Sequence, residues 1–193
     1  MPTEYKKQLT APGATILTYS GVMIDLLNPD PADINLTDIS HGLAFTCRYA
    51  AQSRQFCSVA QHSVHVLEYV RHHGPNDPKI HAWALLHDAA EAYLGDWPTP
   101  LKRMSEQYQE MEKTMLDAIM TRFNLPLESP DIVHKADAVV LHWEWPAVMA
   151  VHPDVEPAPV ETPFKHLTWQ PKTPLESRDL FRKYAEALGL YGV

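Results

Sequence analysis

Leu85-Leu86-His87-Asp88-Ala89-Ala90-Glu91-Ala92-Tyr93-Leu94-Gly95-Asp96-Trp97-Pro98-Thr99-Pro100-Leu101-Lys102 carries the densest chemistry in this 193-residue chain. Neighbours on a helix point about 100° apart, so His87 and Asp88 can grip one ion from two directions. Glu91 follows at i+4 from His87 and i+3 from Asp88, which predicts a place one turn along on the same face. Ile80, Trp83, Ala84, His87, Glu91 and Leu94 trace one helical stripe, apolar at its ends and chemical in its middle. An amphipathic helix turns such a stripe toward the core, so His87 and Glu91 are expected to point inward. An imidazole and two carboxylates in one buried volume are costly unless a cation or a substrate sits among them. A purely structural His–carboxylate pair is the competing reading, but ionisable clusters of this kind mark sites. Gly95 ends the predicted helix, and Asp96, Pro98 and Pro100 make a rigid turn that brings Asp96, Thr99 and Lys102 to its end.

Further ligands lie on two other predicted helices. Ser58 to Val70, ended by His73-Gly74-Pro75, carries His62 with His65 one turn on. Ile132 to Trp145, ended by Pro146, carries Asp137 on a face shared with or flanked by Val133, Ala136, Val140 and Glu144. A carboxylate on a mostly apolar face is expensive unless paired. His62, His87, Asp88 and Asp137 thus offer two imidazoles and two carboxylates from three helices. That donor set suits a divalent metal with open positions: Co, Mn, Zn, Ni, Fe and Mg are all compatible.

The order His, His-Asp, Asp on successive helices resembles the HD superfamily of metal-dependent phosphohydrolases. The run from His87 to Lys102 is similar to the signature of the bacterial 5'-deoxynucleotidase group, H-D-x-S/A-E-x-x-x-G-D-x-P-T-P-x-K. Upstream, T-Y-S-G…L-L-N-P…I-S-H-G-L…C-R-Y…F-C-S-V-A-Q-H-S-V resembles small HD hydrolases of bacteria and phages. The likeness covers roughly residues 16 to 145. It implies an HD-domain helical fold, with His62, His87, Asp88 and Asp137 as metal ligands. Glu91 and Asp96 match the carboxylates that position and activate the attacking water. Arg48 stands near the nucleotidases' Arg-Trp pair, but here the local sequence is Cys47-Arg48-Tyr49, without the Trp.

Phosphate-ester hydrolysis develops charge on phosphoryl oxygens, which a divalent metal can polarise while lowering the pKa of water. Glu91 and Asp96 can orient that water or pass its proton to the leaving oxygen. Arg48, Arg54 and Lys102 are candidate phosphate partners, and Thr99 and His65 complete the candidate substrate-binding set. The expected activity is hydrolysis of small (deoxy)nucleotides, 5'-deoxynucleoside monophosphates first. A dATP/dNTP triphosphohydrolase releasing triphosphate is the alternative. An HD-type di-iron oxygenase is more remote, since no second ligand set is evident, and a degenerate nucleotide-binding domain conflicts with the intact ligands.

Composition is consistent with one domain over residues 1–193, its core about 34–145. Charged residues are 21% and hydrophobic ones 45%, ordinary for a globular protein. A net charge of -8 argues against a stable nucleic-acid partner, which needs a basic face. No run of about 20 apolar residues suggests a membrane span, and Met1 to Lys7 has no apolar signal core. Cys47 and Cys57 fit a reduced cytoplasmic protein and serve packing. A homodimer is an open expectation.

The fold class expected is all-α with a minor N-terminal β-hairpin over 14–27, around Ser20-Gly21. A helix of about ten residues follows, capped by Thr37 or Asp38. Residues 104–123 form a helix with the stripe Met104, Tyr108, Met111, Met115, Ile119, Phe123. Residues 151–174 make a proline-rich wrap, and Leu175–Leu188 a closing helix with Gly189 after it. His41 is divided between packing and lining the pocket, and His134 is a candidate to sit behind the ligands. Trp97 and Tyr93 can either stack a base or pack in the core. His72, His73, His81, His142, His152 and His166 read as surface or structural.

Overall fold

The computed structural model describes residues 14–154, 164 and 169–191. It is mostly helical, with a small antiparallel hairpin at the N-terminal end, as the sequence pattern predicts. The strands are β1 (Thr15–Leu17) and β2 (Met23–Asp25), registered Ile16 to Ile24. The helices are α1 (Leu36–Phe45), α2 (Val59–His73), α3 (Pro78–Leu86), α4 (Glu91–Leu94), α5 (Thr99–Met104), α6 (Glu106–Arg122), α7 (Asp131–Val148) and α8 (Pro174–Ala187). Of the proline-rich stretch, 155–163 and 165–168 lie outside the described residues, and His166 with them.

The central element is α2, which packs against α1, α3, α7 and α8. Its interior is apolar along Val59, Ala60, Val66, Leu67 and Val70, all fully buried. Helix α1 contacts α4 so closely at Gly42 that a Cβ there would lie 2.5 Å from the Ala92 carbonyl oxygen. The hairpin is tied to α1 through Asp38, which accepts hydrogen bonds from the Ser20 amide, the Ser20 hydroxyl and Asn35 Nδ2, each at 2.7 Å.

Several boundaries differ from the sequence reading. Asn35, not Thr37 or Asp38, caps α1, because its extended backbone lets Oδ1 accept from the Asp38 amide at 2.9 Å. Pro146 does not end α7. It lies in the last turn, and the helix reaches Val148, whose carbonyl accepts from the Arg54 amide at 2.7 Å. Val148 also packs with Cys57 and Trp169 in a small apolar cluster, and these tertiary contacts offset the one donor the proline lacks. Met104 falls outside α6 and is exposed, whereas Tyr108, Met115 and Ile119 form its buried face. Cys57 is buried and Cys47 half-buried, both unbridged.

The most consequential difference lies at the His-Asp pair. The α-helix stops at Leu86 rather than running through to Leu94. Through His87–Ala90 the bonds become i→i+3: Ala89 to Leu86, Glu91 to Asp88, Ala92 to Ala89 and Tyr93 to Ala90. A local cause is visible. The Ala84 carbonyl, which a continuing helix would offer to the Asp88 amide, accepts from His87 Nδ1 at 2.9 Å. In so tight a turn, residues three apart eclipse. Glu91 therefore aligns with Asp88 rather than with His87.

Candidate metal centre

Three elements converge on one point. Helix α2 delivers His62, the turn after α3 delivers His87 and Asp88, and α7 delivers Asp137. The ligand atoms of His62, His87 and Asp137 lie within 4.8 Å of one another. His62 Nε2 is 2.9 Å from Asp137 Oδ1, and His87 Nε2 is 3.9 Å from the same oxygen. Asp88 Oδ2 completes the set at 3.3 Å from His87 Nε2 and 4.0 Å from His62 Nε2. The four residues singled out in the sequence are therefore neighbours in space.

The donor chemistry fits a divalent cation. A backbone carbonyl only accepts, so the bond to Ala84 puts the proton of neutral His87 on Nδ1 and leaves Nε2 a lone pair. That Nε2 is a buried polar atom with no hydrogen-bond partner. Such an orphan is costly and is what a missing ligand would satisfy. Burial disfavours charge on His87, but the adjacent Asp88 carboxylate outweighs it and raises the imidazole to about 9, so an ion at Nε2 would displace a proton that otherwise faces Asp88. Burial likewise opposes the Asp88 charge, yet His87, His62 and Arg48 hold that carboxyl well below the usual carboxylate range.

Glu91 and Asp96 stand beside this cluster. Glu91 is buried, with Oε1 accepting from Lys102 Nζ at 2.7 Å and Oε2 unpartnered. Burial, then the charges of Asp88 and Asp96, push its carboxyl well above the ordinary value in spite of Lys102. Burial also raises Asp96, against the pull of Arg48 and Lys102. Asp96 Oδ2 accepts from the Tyr49 amide at 3.1 Å. That bond anchors a turn in which Tyr49, Ala50 and Ala51 all take left-handed φ, 58°, 50° and 58°.

A cavity of about 550 Å³ opens over these groups, lined by Arg48, Asp88, Glu91, Lys102 and Asp137 on the polar side and by Trp145 and other apolar residues on the rest. Thr99 and Trp97 also line it, with Trp97 stacked on Tyr108 at 4.3 Å. A second cleft of about 390 Å³, between Ser20, Thr37 and Arg182, holds none of these groups.

The candidate substrate cations divide. Arg48 is buried, 3.5 Å from Asp88 and 3.7 Å from Glu144. Lys102 is held between the carboxyl groups of Glu91 and Glu112, at 2.7 and 2.6 Å, so its ammonium is already engaged within the protein. Arg54 is exposed and is not among the cavity residues. His65 turns to Glu144 at 2.7 Å and packs edge-on against Trp143, and it does not line the cavity either. His41 is stacked between Tyr19 and Phe45, with ring centroids at 3.8 and 4.4 Å, which settles it as packing. His134 is exposed, and Tyr93 is buried outside the cavity lining.

Glu144 is the residue absent from the expected set. It is fully buried and accepts from His62 Nδ1 at 2.9 Å as well as from His65. Its sequence signal was a carboxylate seven residues, two helical turns, beyond Asp137, between the two tryptophans of the Leu141-His142-Trp143-Glu144-Trp145 run.

No family model matches the chain. It is 40% identical over 121 residues to an uncharacterised protein of Rhodobacter capsulatus, a match covering 61% of this chain and 62% of that protein's length. Over 132 residues it is 38% identical to the uncharacterised protein YfdR of Escherichia coli K12, covering 67% of this chain and 69% of YfdR. Among the described residues no helix is long and apolar enough to cross a membrane.

Proposed function

We propose that this chain, which belongs to the family of the Escherichia coli protein YfdR, is a metal-dependent phosphohydrolase of the HD type. Its substrates on this reading are small (deoxy)nucleotides, chiefly 5'-deoxynucleoside monophosphates, cleaved to nucleoside and phosphate. The observation that carries the reading is the approach of His62, His87 and Asp137 within 4.8 Å, with Asp137 itself lining a cavity that also receives Asp88, Glu91 and Arg48.

A divalent ion held by His62, His87, Asp88 and Asp137 would supply Lewis acidity at phosphoryl oxygens and lower the pKa of the attacking water. The surrounding side chains do the rest. Glu91 holds its proton to unusually high pH because burial and two neighbouring carboxylates disfavour its charge. Its unpartnered Oε2 can give that proton to the leaving nucleoside oxygen. Lys102 fixes the other oxygen, so its part is to orient Glu91 rather than to meet phosphate. Arg48, whose buried Nε lacks a hydrogen bond, is the cation left to face the phosphate. Asp96 holds the Tyr49 amide and with it the cavity wall.

The test is chromatography of products from dAMP, dATP and their ribose counterparts with Mn, Co, Zn or Mg. Deoxynucleoside plus single phosphate from dAMP is the expected result. Intact triphosphate from dATP would move the chain to the triphosphohydrolase branch. No turnover with any metal would refute the phosphohydrolase reading.

A further inference from the structure

Glu144 places a carboxyl group where no water reaches it, at 0% exposure. A carboxylate so placed needs donors. It has two imidazoles, His62 Nδ1 at 2.9 Å on one oxygen and His65 Nδ1 at 2.7 Å on the other. An ionised carboxylate only accepts, so both Nδ1 atoms donate. His62 and His65 stand one turn apart on α2, and Glu144 stands two turns from Asp137 on α7. The two helices thus present, side by side, a pair of ligands and a pair of groups that brace them.

The bracing has a chemical consequence. His62 Nδ1 donates to Glu144, so Nε2, 2.9 Å from Asp137 Oδ1, is the ring nitrogen turned to the cluster; an ion bound there would replace the proton that Nε2 otherwise shares with Asp137. His87 has its tautomer set by the Ala84 carbonyl. His62 is fully buried, so water cannot take over from Glu144. Without His65, the carboxylate could rotate off His62.

We propose that Glu144 is a positioning residue of the metal centre, holding the His62 ring and tautomer so that Nε2 faces the ion, and that His65 acts through Glu144 by pinning its second oxygen. The inference rests on the metal-centre reading above. Loss of a partner behind a ligating imidazole lowers metal affinity about 10–100-fold.

The test is Co²⁺ and Zn²⁺ affinity of the full, metal-free chain by competition with a colorimetric chelator, together with the visible Co²⁺ spectrum. Glu144→Gln can accept for only one imidazole. It should bind about 10–100-fold more weakly and shift the Co²⁺ bands. His65→Ala should lose a few-fold, and the double variant should bind no more weakly than Glu144→Gln alone. Affinity of Glu144→Gln within twofold of the parent, or losses that multiply in the double variant, overturns the proposal. If Glu144→Gln does not fold, His65→Ala decides alone, and unchanged affinity there is equally fatal. A parent that binds neither ion refutes the metal centre itself, a result distinct from these.

Discussion

Gly42→Ala tests the packing that places the His-Asp turn. A Cβ at Gly42 would lie 2.5 Å from the Ala92 carbonyl oxygen and 2.8 Å from the Ala92 Cα and Cβ. Ordinary contacts of this kind sit near about 3.5–4 Å, so α1 and α4 would have to separate by roughly 1 Å. Overpacking costs about 1–3 kcal/mol. The obstacle here is mainly backbone, which cannot rotate away, so the upper end applies, about 3 kcal/mol. In a domain of this size each kcal/mol moves Tm by about 2–4 °C, giving a fall of about 6–12 °C. Because α4 follows His87 and Asp88 directly, metal affinity should fall with stability. Thermal melts of the metal-free chain measure the first effect and chelator competition the second. Gly21→Ala is the control: its φ is +89° with nothing within 4 Å, so it carries only conformational strain, about 1–2 kcal/mol. A Gly42→Ala variant that melts no lower than Gly21→Ala refutes the backbone-to-backbone contact.

Asp88→Ala should lose metal and turnover together, whereas Glu91→Ala should keep metal, by elemental analysis, and lose at least about 100-fold in turnover. Near-normal turnover in Glu91→Ala removes it from the chemistry. Ala50→Gly relieves one of the three left-handed residues and should stabilise the metal-free chain by up to about 1 kcal/mol, strain relief being partly offset by the backbone entropy of glycine. A lowered melting temperature would contradict that strain. Burial, then Arg178, lowers the His41 imidazole below its ordinary 6.5, with Asp38 opposing. The unfolded chain thus binds the proton more readily. Stability is full above 6.5 and declines as pH falls through that value toward the folded pKa. His41→Phe keeps the aromatic stack and should flatten this part of the pH dependence, measured by urea unfolding between about pH 5 and 8. An unchanged slope would show that His41 is not its source.

Much of the fold was legible because its signals are local. Apolar faces marked α6 and α7, the helices at α2 and α8 were also anticipated, and Gly95, Gly74 and Gly189 stand just past helix ends as expected. The candidate ligand set was legible for a related reason. Carboxylates and imidazoles on apolar faces are expensive unless paired, so their placement in the sequence already marked them as candidates for one site. The finer geometry was not local. The break after Leu86 follows from a His87 side chain taking the Ala84 carbonyl, an event that periodicity does not encode. The survival of α7 past Pro146 depends on contacts from Cys57, Trp169 and the Arg54 amide.

The candidate substrate cations show the same division. In the sequence Arg48, Arg54 and Lys102 were all candidates for a phosphate. Folding separated them: Arg48 is buried among carboxylates, Lys102 is bound to Glu91 and Glu112, and Arg54 is left in solvent. His65 was turned in the same way from the cavity to Glu144. By itself the sequence determined the helical class, the hairpin and the identity of the four candidate ligands, since these depend on local periodicity, on turn residues and on which residues share a helix face. Only the tertiary structure decided what stands behind each ligand. Those partners come from other helices, and an ionisable group's role is set by the charges and donors that packing brings to it.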